Sequence, residues 1–128
     1  MDVLTRSSHD TARMETHEVV AYLLERLGRT LTAYIANTRS RAMPARWAAP
    51  PGEPSHATPA DDKATRLKAA HTVFQAIEDA DNDQIARSWL ISANPRLGGH
   101  TPADCIRDGK YKDVFNAAEA FISDHHYG

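Results

Sequence analysis

A proline-rich stretch near the middle of the chain limits what this sequence can fold into. Between Ala49 and Ala60 there are four prolines and one glycine. Proline lacks the backbone N–H that a helix interior or a central strand needs, and its ring fixes φ. We therefore expect an irregular linker, placed at residues 51–60, which divides the 128 residues into two helical parts.

Apolar residues recur every three or four positions on both sides of this linker, as they do on one face of a helix. No segment shows the apolar–polar alternation typical of a strand. The predicted fold class is all-α, with an N-terminal helix-turn-helix-like region followed by a small helical domain. The predicted helices span 18–27, 31–37, 41–48, 61–79, 83–93 and 111–123, with a further short helix between Thr101 and Gly109. Thr16 is the expected cap of the first helix and Gly28 its expected end. After the linker, the residues expected to face inward are Leu67, Ala70, Phe74, Ile77, Ile85, Trp89, Leu90, Tyr111, Val114, Phe115, Ala118, Phe121 and Ile122.

The N-terminal residues, the lengths of the apolar runs and the single cysteine bear on the cellular compartment and the domain bounds of this chain. Residues 1–14 hold no apolar stretch like that of a signal peptide, and no run approaches the roughly 18–20 apolar residues of a membrane span. We expect a disordered leader over 1–14, a helix-turn-helix-like region over 15–50 and a second helical domain over 61–128. Cys105, the single cysteine, excludes an intrachain disulfide and fits a reducing compartment, so a cytoplasmic protein is expected.

The helix predicted at 18–27 has more apolar positions than one small core needs. Its apolar residues are Val19, Val20, Leu23, Leu24 and Leu27. Small cores are only marginally stable alone. We therefore expect a dimer or a larger oligomer.

Charge is unevenly distributed along the chain. Residues 27–49 hold four arginines and no acid, whereas residues 51–128 hold eight lysines and arginines against twelve acids. A short helix, a tight break and a second helix with cations resemble the arrangement that places side chains along a DNA major groove. The same pattern also fits a solvated basic surface between two core helices. The candidate DNA-binding residues are Arg39, Ser40, Arg41 and Arg46.

Two residues of this basic segment favour a structural interpretation. Pro44 is tolerated only in the first turn of a helix, so the second helix should be short and start late, near residues 41–43. Trp47 is expected to anchor the core rather than contact DNA.

Two side-chain groups could carry chemistry. Cys105, His100 and Asp104 could act as nucleophile, base and orienting group, but the helical pattern favours a buried structural thiol. The chain end at 124–126, Asp-His-His, could hold zinc, although adjacent side chains rarely chelate one ion without further ligands. A frayed end and a partner-contacting segment are the other interpretations. We expect no catalytic activity, no cofactor and no metal.

A motif in the second half resembles a known family. Residues 86–109 read ARSWLISANPRLGGHTPADCIRDG. The helix with Trp89, then Asn94-Pro95-Arg96-Leu97, Thr101-Pro102-Ala103-Asp104 and Arg107-Asp108-Gly109, resembles the Xre/MbcA/ParS-type antitoxins. Upstream, residues 31–36 followed by Arg46-Trp47 are similar to the helix-turn-helix of that family. The similarity covers roughly Val19 to Ile122.

The resemblance implies a partner, a RES-type toxin that consumes NAD and is encoded beside the antitoxin. It implies that the C-terminal domain binds this toxin, that the chain end obstructs the toxin's active-site entrance, and that the helix-turn-helix dimerises and represses the operon. The expected assembly is a homodimer or a hetero-oligomer with the toxin, with operator DNA as a second partner. A transcription regulator without a toxin is the alternative. The candidate toxin-binding residues are Asn94, Arg96, Leu97, Arg107, Asp108, Tyr111, Asp124, His125, His126 and Tyr127.

Overall fold

The computed structural model describes residues 2–126, with side chains up to residue 124, and this part of the chain is helical without strands. The all-α fold class is therefore confirmed. None of the helices in this part of the chain is long and apolar enough to cross a bilayer. The helices are α1 (Val3–Arg13), α2 (Thr16–Ala36), α3 (Met43–Ala48), α4 (Asp61–Ala80), α5 (Asp83–Ile91), α6 (Pro102–Arg107) and α7 (Tyr111–His126), with a 3-10 turn at Pro95–Leu97.

Helix α4 lies at the centre of the fold. It contacts α1, α2, α5, α6 and α7, and so it is buried on more than one side. The sequence predicted its extent and one apolar stripe, yet polar positions between the stripe residues are buried as well. Its buried residues are Leu67, Ala69, Ala70, His71, Thr72, Val73, Phe74, Ala76 and Ile77.

One core joins the two parts that the linker was expected to separate. Leu23 and Trp47 from before the linker belong to the same cluster of buried side chains as Phe74 and Val114 from after it. Trp47 is thus the core anchor that the sequence predicted. The linker is irregular as expected, but it is held in place: the N–H of Ala57 donates to the carbonyl of Arg46 at 3.1 Å.

The expectation of a disordered leader is wrong, because residues 3–13 form α1. Asp2 caps this helix by accepting from the N–H of Thr5 at 2.7 Å. The side of α1 that faces α4 carries hydroxyls rather than large apolar groups, and the Ser7 hydroxyl donates to the Thr72 carbonyl at 2.7 Å. Both Ser7 and Thr11 are buried. Hydrogen bonds to α4 satisfy these buried hydroxyls, so α1 docks with few apolar residues.

Helix α2 joins two of the predicted helices. It starts with a capping box between Glu15 and Glu18, instead of the predicted cap at Thr16, and it ends at Asn37 in the left-handed conformation. Gly28 was expected to end the first helix, and it does leave the helical conformation (φ 79°, ψ 168°), but the helix continues after this kink.

The apolar positions of α2 do not support the predicted oligomer. Val19, Val20, Leu23 and Leu27 are buried against the chain's own core. Leu24 is half-buried and packs against the same cluster. The apolar residues of α2 that suggested self-association are thus buried within one chain.

Helix α5 corrects one further expectation. Trp89 and Leu90 are buried as predicted, whereas Ile85 is 37% exposed. The rotation of α5 turns Ala86, Trp89 and Leu90 to the core, and Ile85 lies roughly 100° around the helix from Ala86. The prediction that Ile85 faces inward is therefore wrong.

Candidate partner-binding surface

Asn94 organises the loop between α5 and α6. Its side-chain oxygen accepts from the N–H of Arg96 at 2.9 Å. Its backbone N–H donates to the carbonyl of His100 at 3.0 Å, and its carbonyl accepts from the N–H of Gly99 at 2.9 Å. Gly98 and Gly99 both have positive φ, a conformation that favours glycine. The Asn94-to-Gly99 part of the motif therefore fixes the loop's shape.

The rest of the motif starts and ends α6. The Thr101 hydroxyl accepts from the N–H of Asp104 at 3.0 Å, and Pro102 occupies the first turn, where a missing N–H costs little. Gly109 turns the chain towards α7 with φ 80°. Most residues of the motif thus have structural roles in the loop and in α6.

A groove lies between this loop and α7. Trp89 and Phe121 form its apolar floor, with ring centroids 6.1 Å apart. On opposite walls of the groove, Nη2 of Arg96 and Oδ2 of Asp124 form an exposed ion pair at 3.7 Å. The groove has a volume of about 470 Å³ and is lined by Trp89, Ala93, Asn94, Pro95, Arg96, Ala117, Phe121 and Asp124.

The structure brings three of the predicted toxin-binding residues together. Asn94, Arg96 and Asp124 all line the groove. Leu97 instead belongs to the core cluster and is 8% exposed, so it packs inward rather than towards a partner. Asp108 is exposed at the end of α6.

The remaining predicted contacts lie elsewhere. Tyr111 is half-buried and lines a separate hollow beside α1. The side chains of His125 and His126, and all of Tyr127, lie outside the described residues.

Five groove residues were not predicted as site residues: Trp89, Ala93, Pro95, Ala117 and Phe121. The sequence assigned Trp89 and Phe121 to the core, and Trp89 is indeed only 8% exposed. Ala117 and Phe121 are four residues apart and share one helix face, which was the available signal. The packing of that face beside the loop after α5 depends on tertiary structure.

Arg107, another predicted contact, binds within the chain. Its Nη1 donates to the carbonyl of Tyr34 at 2.7 Å, and its guanidinium carbon lies 4.4 Å from the centroid of the Tyr34 ring. The Tyr34 hydroxyl donates to the carboxylate of Asp104. Tyr34, Asp104 and Arg107 thus join helix α2 to helix α6.

Two members of the candidate nucleophilic group, Asp104 and Cys105, are engaged within the fold. The hydrogen bond from Tyr34 occupies Asp104 and lowers its pKa. Cys105 is 4% exposed, and burial raises the pKa of its thiol, which disfavours the reactive thiolate. Among residues with described side chains, no cluster of three or more His, Cys, Asp or Glu could hold a metal ion.

The basic segment differs from a long recognition helix. Helix α3 has six residues and begins at Met43, within the expected range of residues 41–43, so Arg39, Ser40 and Arg41 lie in the preceding loop. Pro44 is in its first turn, as predicted. The N–H at Nε of Arg46 donates to the carbonyl of Ser55 at 3.1 Å, which ties α3 to the linker.

Helices α4–α7 thus carry a loop of defined shape and an apolar groove. Residues 69–114 match the family model described as the antitoxin Xre/MbcA/ParS C-terminal toxin-binding domain. This segment, about a third of the chain, begins within α4 and ends in the first turn of α7. No curated protein and no solved structure matches the chain. The family match confirms the resemblance to Xre/MbcA/ParS-type antitoxins and supports an antitoxin role with a toxin protein as partner.

Proposed function

We propose that this protein is the antitoxin of a type II toxin–antitoxin system, and that it binds and neutralises a RES-type, NAD-degrading toxin without catalysing a reaction itself. The observation that carries the proposal is the toxin-binding family match over residues 69–114. The same segment supplies one wall of the groove, from Trp89 to Arg96.

The position of the groove also supports the proposed role of the chain end. Asp124, which lines the groove, directly precedes His125, His126 and Tyr127 in the sequence. A toxin docked at the groove would contact Asp124. The family resemblance assigns obstruction of the toxin's active-site entrance to this chain end.

The test is NAD consumption by the purified product of the neighbouring RES-type gene. Full-length antitoxin should suppress NAD loss in a dose-dependent way and should co-purify with that toxin. A chain that ends at Asp124 keeps the groove and its ion pair but lacks the last four residues, so it should bind the toxin yet inhibit more weakly. If the full-length chain neither binds this toxin nor slows NAD loss, the proposed function is wrong.

A second function, binding of operator DNA, rests on the exposed loop cations Arg39 and Arg41 in a segment without acids. Because phosphate contacts release counterions, binding to the protein's own promoter should weaken steeply with salt. Replacing Arg39, Arg41 and Arg46 by alanine should abolish the promoter shift.

The matched control for this test replaces three exposed cations of the other half, Arg87, Lys110 and Lys112, by alanine. This control should leave the shift unchanged. If the Arg39, Arg41 and Arg46 variant shifts DNA as well as the wild type does, the basic segment is not a DNA-binding surface. A DNA shift without any toxin binding would instead favour a stand-alone regulator.

A further inference from the structure

We propose that the groove between the loop after α5 and helix α7 receives one bulky apolar side chain of the toxin, flanked on the toxin by an acidic and a basic residue. The acidic residue would pair with Arg96 and the basic one with Asp124. This inference rests on the proposed antitoxin function and specifies the surface and the chemistry of its partner.

The floor of the groove suits an apolar anchor. The aromatic rings of Trp89 and Phe121 line the groove together with Ala117, whose side chain is small. The volume of about 470 Å³ is within the roughly 300–1,000 Å³ range of pockets that bind ligands. Apolar anchors that fill such pockets usually dominate the energetics of protein interfaces.

The two sides of the groove carry opposite charges. The Arg96 and Asp124 side chains are 60% and 69% exposed, and their 3.7 Å pair crosses the groove. An ion pair this exposed is strongly screened by water, so opening it costs little. Two new pairs with a docked toxin would be shielded from water and would fix the register of the segment in the groove.

A smaller hollow of about 200 Å³ continues the polar rim on the other side of Arg96. Asp113 and Asn116 of α7 line it together with Arg96 and Ala117. This hollow offers hydrogen-bonding groups to the toxin backbone that flanks the apolar anchor. The combined surface thus has the apolar centre and polar rim of a protein–protein interface.

The first test fills the groove without altering the core. Ala93 is exposed on the groove wall, so Ala93→Trp should occupy the space intended for the anchor while the fold is kept. The control is Ala21→Trp, at an exposed position of α2. We expect Ala93→Trp to weaken binding of the neighbouring RES-type toxin at least about 10-fold, and Ala21→Trp to leave it unchanged.

The second test reverses the charges. Combining Arg96→Asp with Asp124→Arg keeps an intramolecular ion pair, so thermal stability should be preserved, but it inverts the charges that the toxin meets. We expect at least a 10-fold loss of toxin affinity. If the double variant binds like the wild type, the pair only fastens the loop to α7 and the proposed charge pattern is wrong.

These outcomes separate the inference from the proposed function. If the wild type fails to bind the toxin, the antitoxin function itself is wrong. If the wild type binds and Ala93→Trp binds equally tightly, the toxin uses another surface and the groove proposal is overturned. If Ala93→Trp turns a dimer into a monomer in the absence of toxin, the groove holds a second copy of the chain. If removal of residues 125–128 restores toxin binding to Ala93→Trp, the groove holds the chain's own end. Either result overturns the proposal.

Discussion

The side-chain oxygen of Thr11 lies 2.6 Å from Nδ1 of His71, and this hydrogen bond links α1 to the central helix α4. Both residues are buried. The Thr11 hydroxyl also lies 2.8 Å from the Thr72 hydroxyl, so one side chain joins two positions of α4. Helix α1 is therefore held by a small buried polar network.

Thr11→Val should destabilise the protein, because valine keeps the shape of threonine but leaves His71 and Thr72 without this partner. A buried polar group that loses its hydrogen bond costs about 1–3 kcal/mol. We expect a loss of that size in the free energy of unfolding, measured by urea denaturation. Thr5→Val, at an exposed position of the same helix, should change it by only a few tenths. An equal effect of both variants would show that the network does not hold α1.

The stability should fall in mild acid because of His71. Burial, together with the positive charge of Arg26, lowers its pKa to about 4 against an ordinary value of 6.5, although the negative charges of Asp10 and Glu78 act in the opposite direction. Between pH 6.5 and 4 the unfolded chain therefore binds a proton that the folded chain does not. The contribution to stability is complete above pH 6.5 and is lost as pH falls towards 4, by about 3 kcal/mol.

Urea denaturation at pH 7.5, 5.5 and 4.5 measures this loss. His71→Asn keeps a polar group near the position of Nδ1 but does not titrate, so its stability should fall less with acid than that of the wild type. The carboxylates of both chains titrate alike, and hence the difference isolates His71. Identical slopes for the two chains would contradict the prediction.

Gly28→Ala should destabilise α2 through backbone strain alone. Gly28 has φ 79° and ψ 168°, a region that is essentially restricted to glycine, while nothing lies within 4 Å of an added Cβ. Such strain costs about 1–3 kcal/mol. Gly52→Ala is the control, since Gly52 has equally open space and no positive φ. A thermal melt that is lowered only for Gly28→Ala supports the strain; equal melts would refute it.

The fragment of residues 61–128 should not fold by itself. The linker suggested that this half is independent, but without α2 and α3 it loses Val19, Leu23, Ile35 and Trp47, which complete its core. Circular dichroism of the fragment should show reduced helicity and no cooperative melt. Adding residues 2–60 as a separate chain should restore both. A cooperative melt of the fragment alone would establish two independent domains.

The sequence predicted the parts of this fold that depend on local signals. The extent of α4 follows from helical periodicity, and the start of α6 from Thr101 followed by Pro102. Helix α1 was missed because the residues that it buries, Ser7 and Thr11, have the polarity of a solvent-exposed segment. Only the complementary polar groups of α4, about 60 residues away, make their burial favourable.

The sequence also predicted some residues of the candidate surface but not others. Asn94 and Arg96 belong to the family motif and Asp124 to the segment that follows α7's apolar residues, and these three do meet at the groove. Arg107 belongs to the same motif, but it binds Tyr34, a residue 73 positions earlier. No local pattern distinguishes an arginine that contacts a partner from one that joins two helices of its own chain.

Because Cys105 is buried, the rate at which its thiol reacts with a reagent reports local opening of the native protein. It is the single cysteine of the chain, and α6, which carries it, packs against α2, α4, α5 and α7. A thiol reagent can reach a buried sulfur only when the surrounding helices separate. The rate of labelling therefore measures how often this part of the native protein opens, without any engineered probe. A toxin bound between α7 and the loop after α5 would hold these elements together, and it would slow the labelling of Cys105 without contacting the thiol.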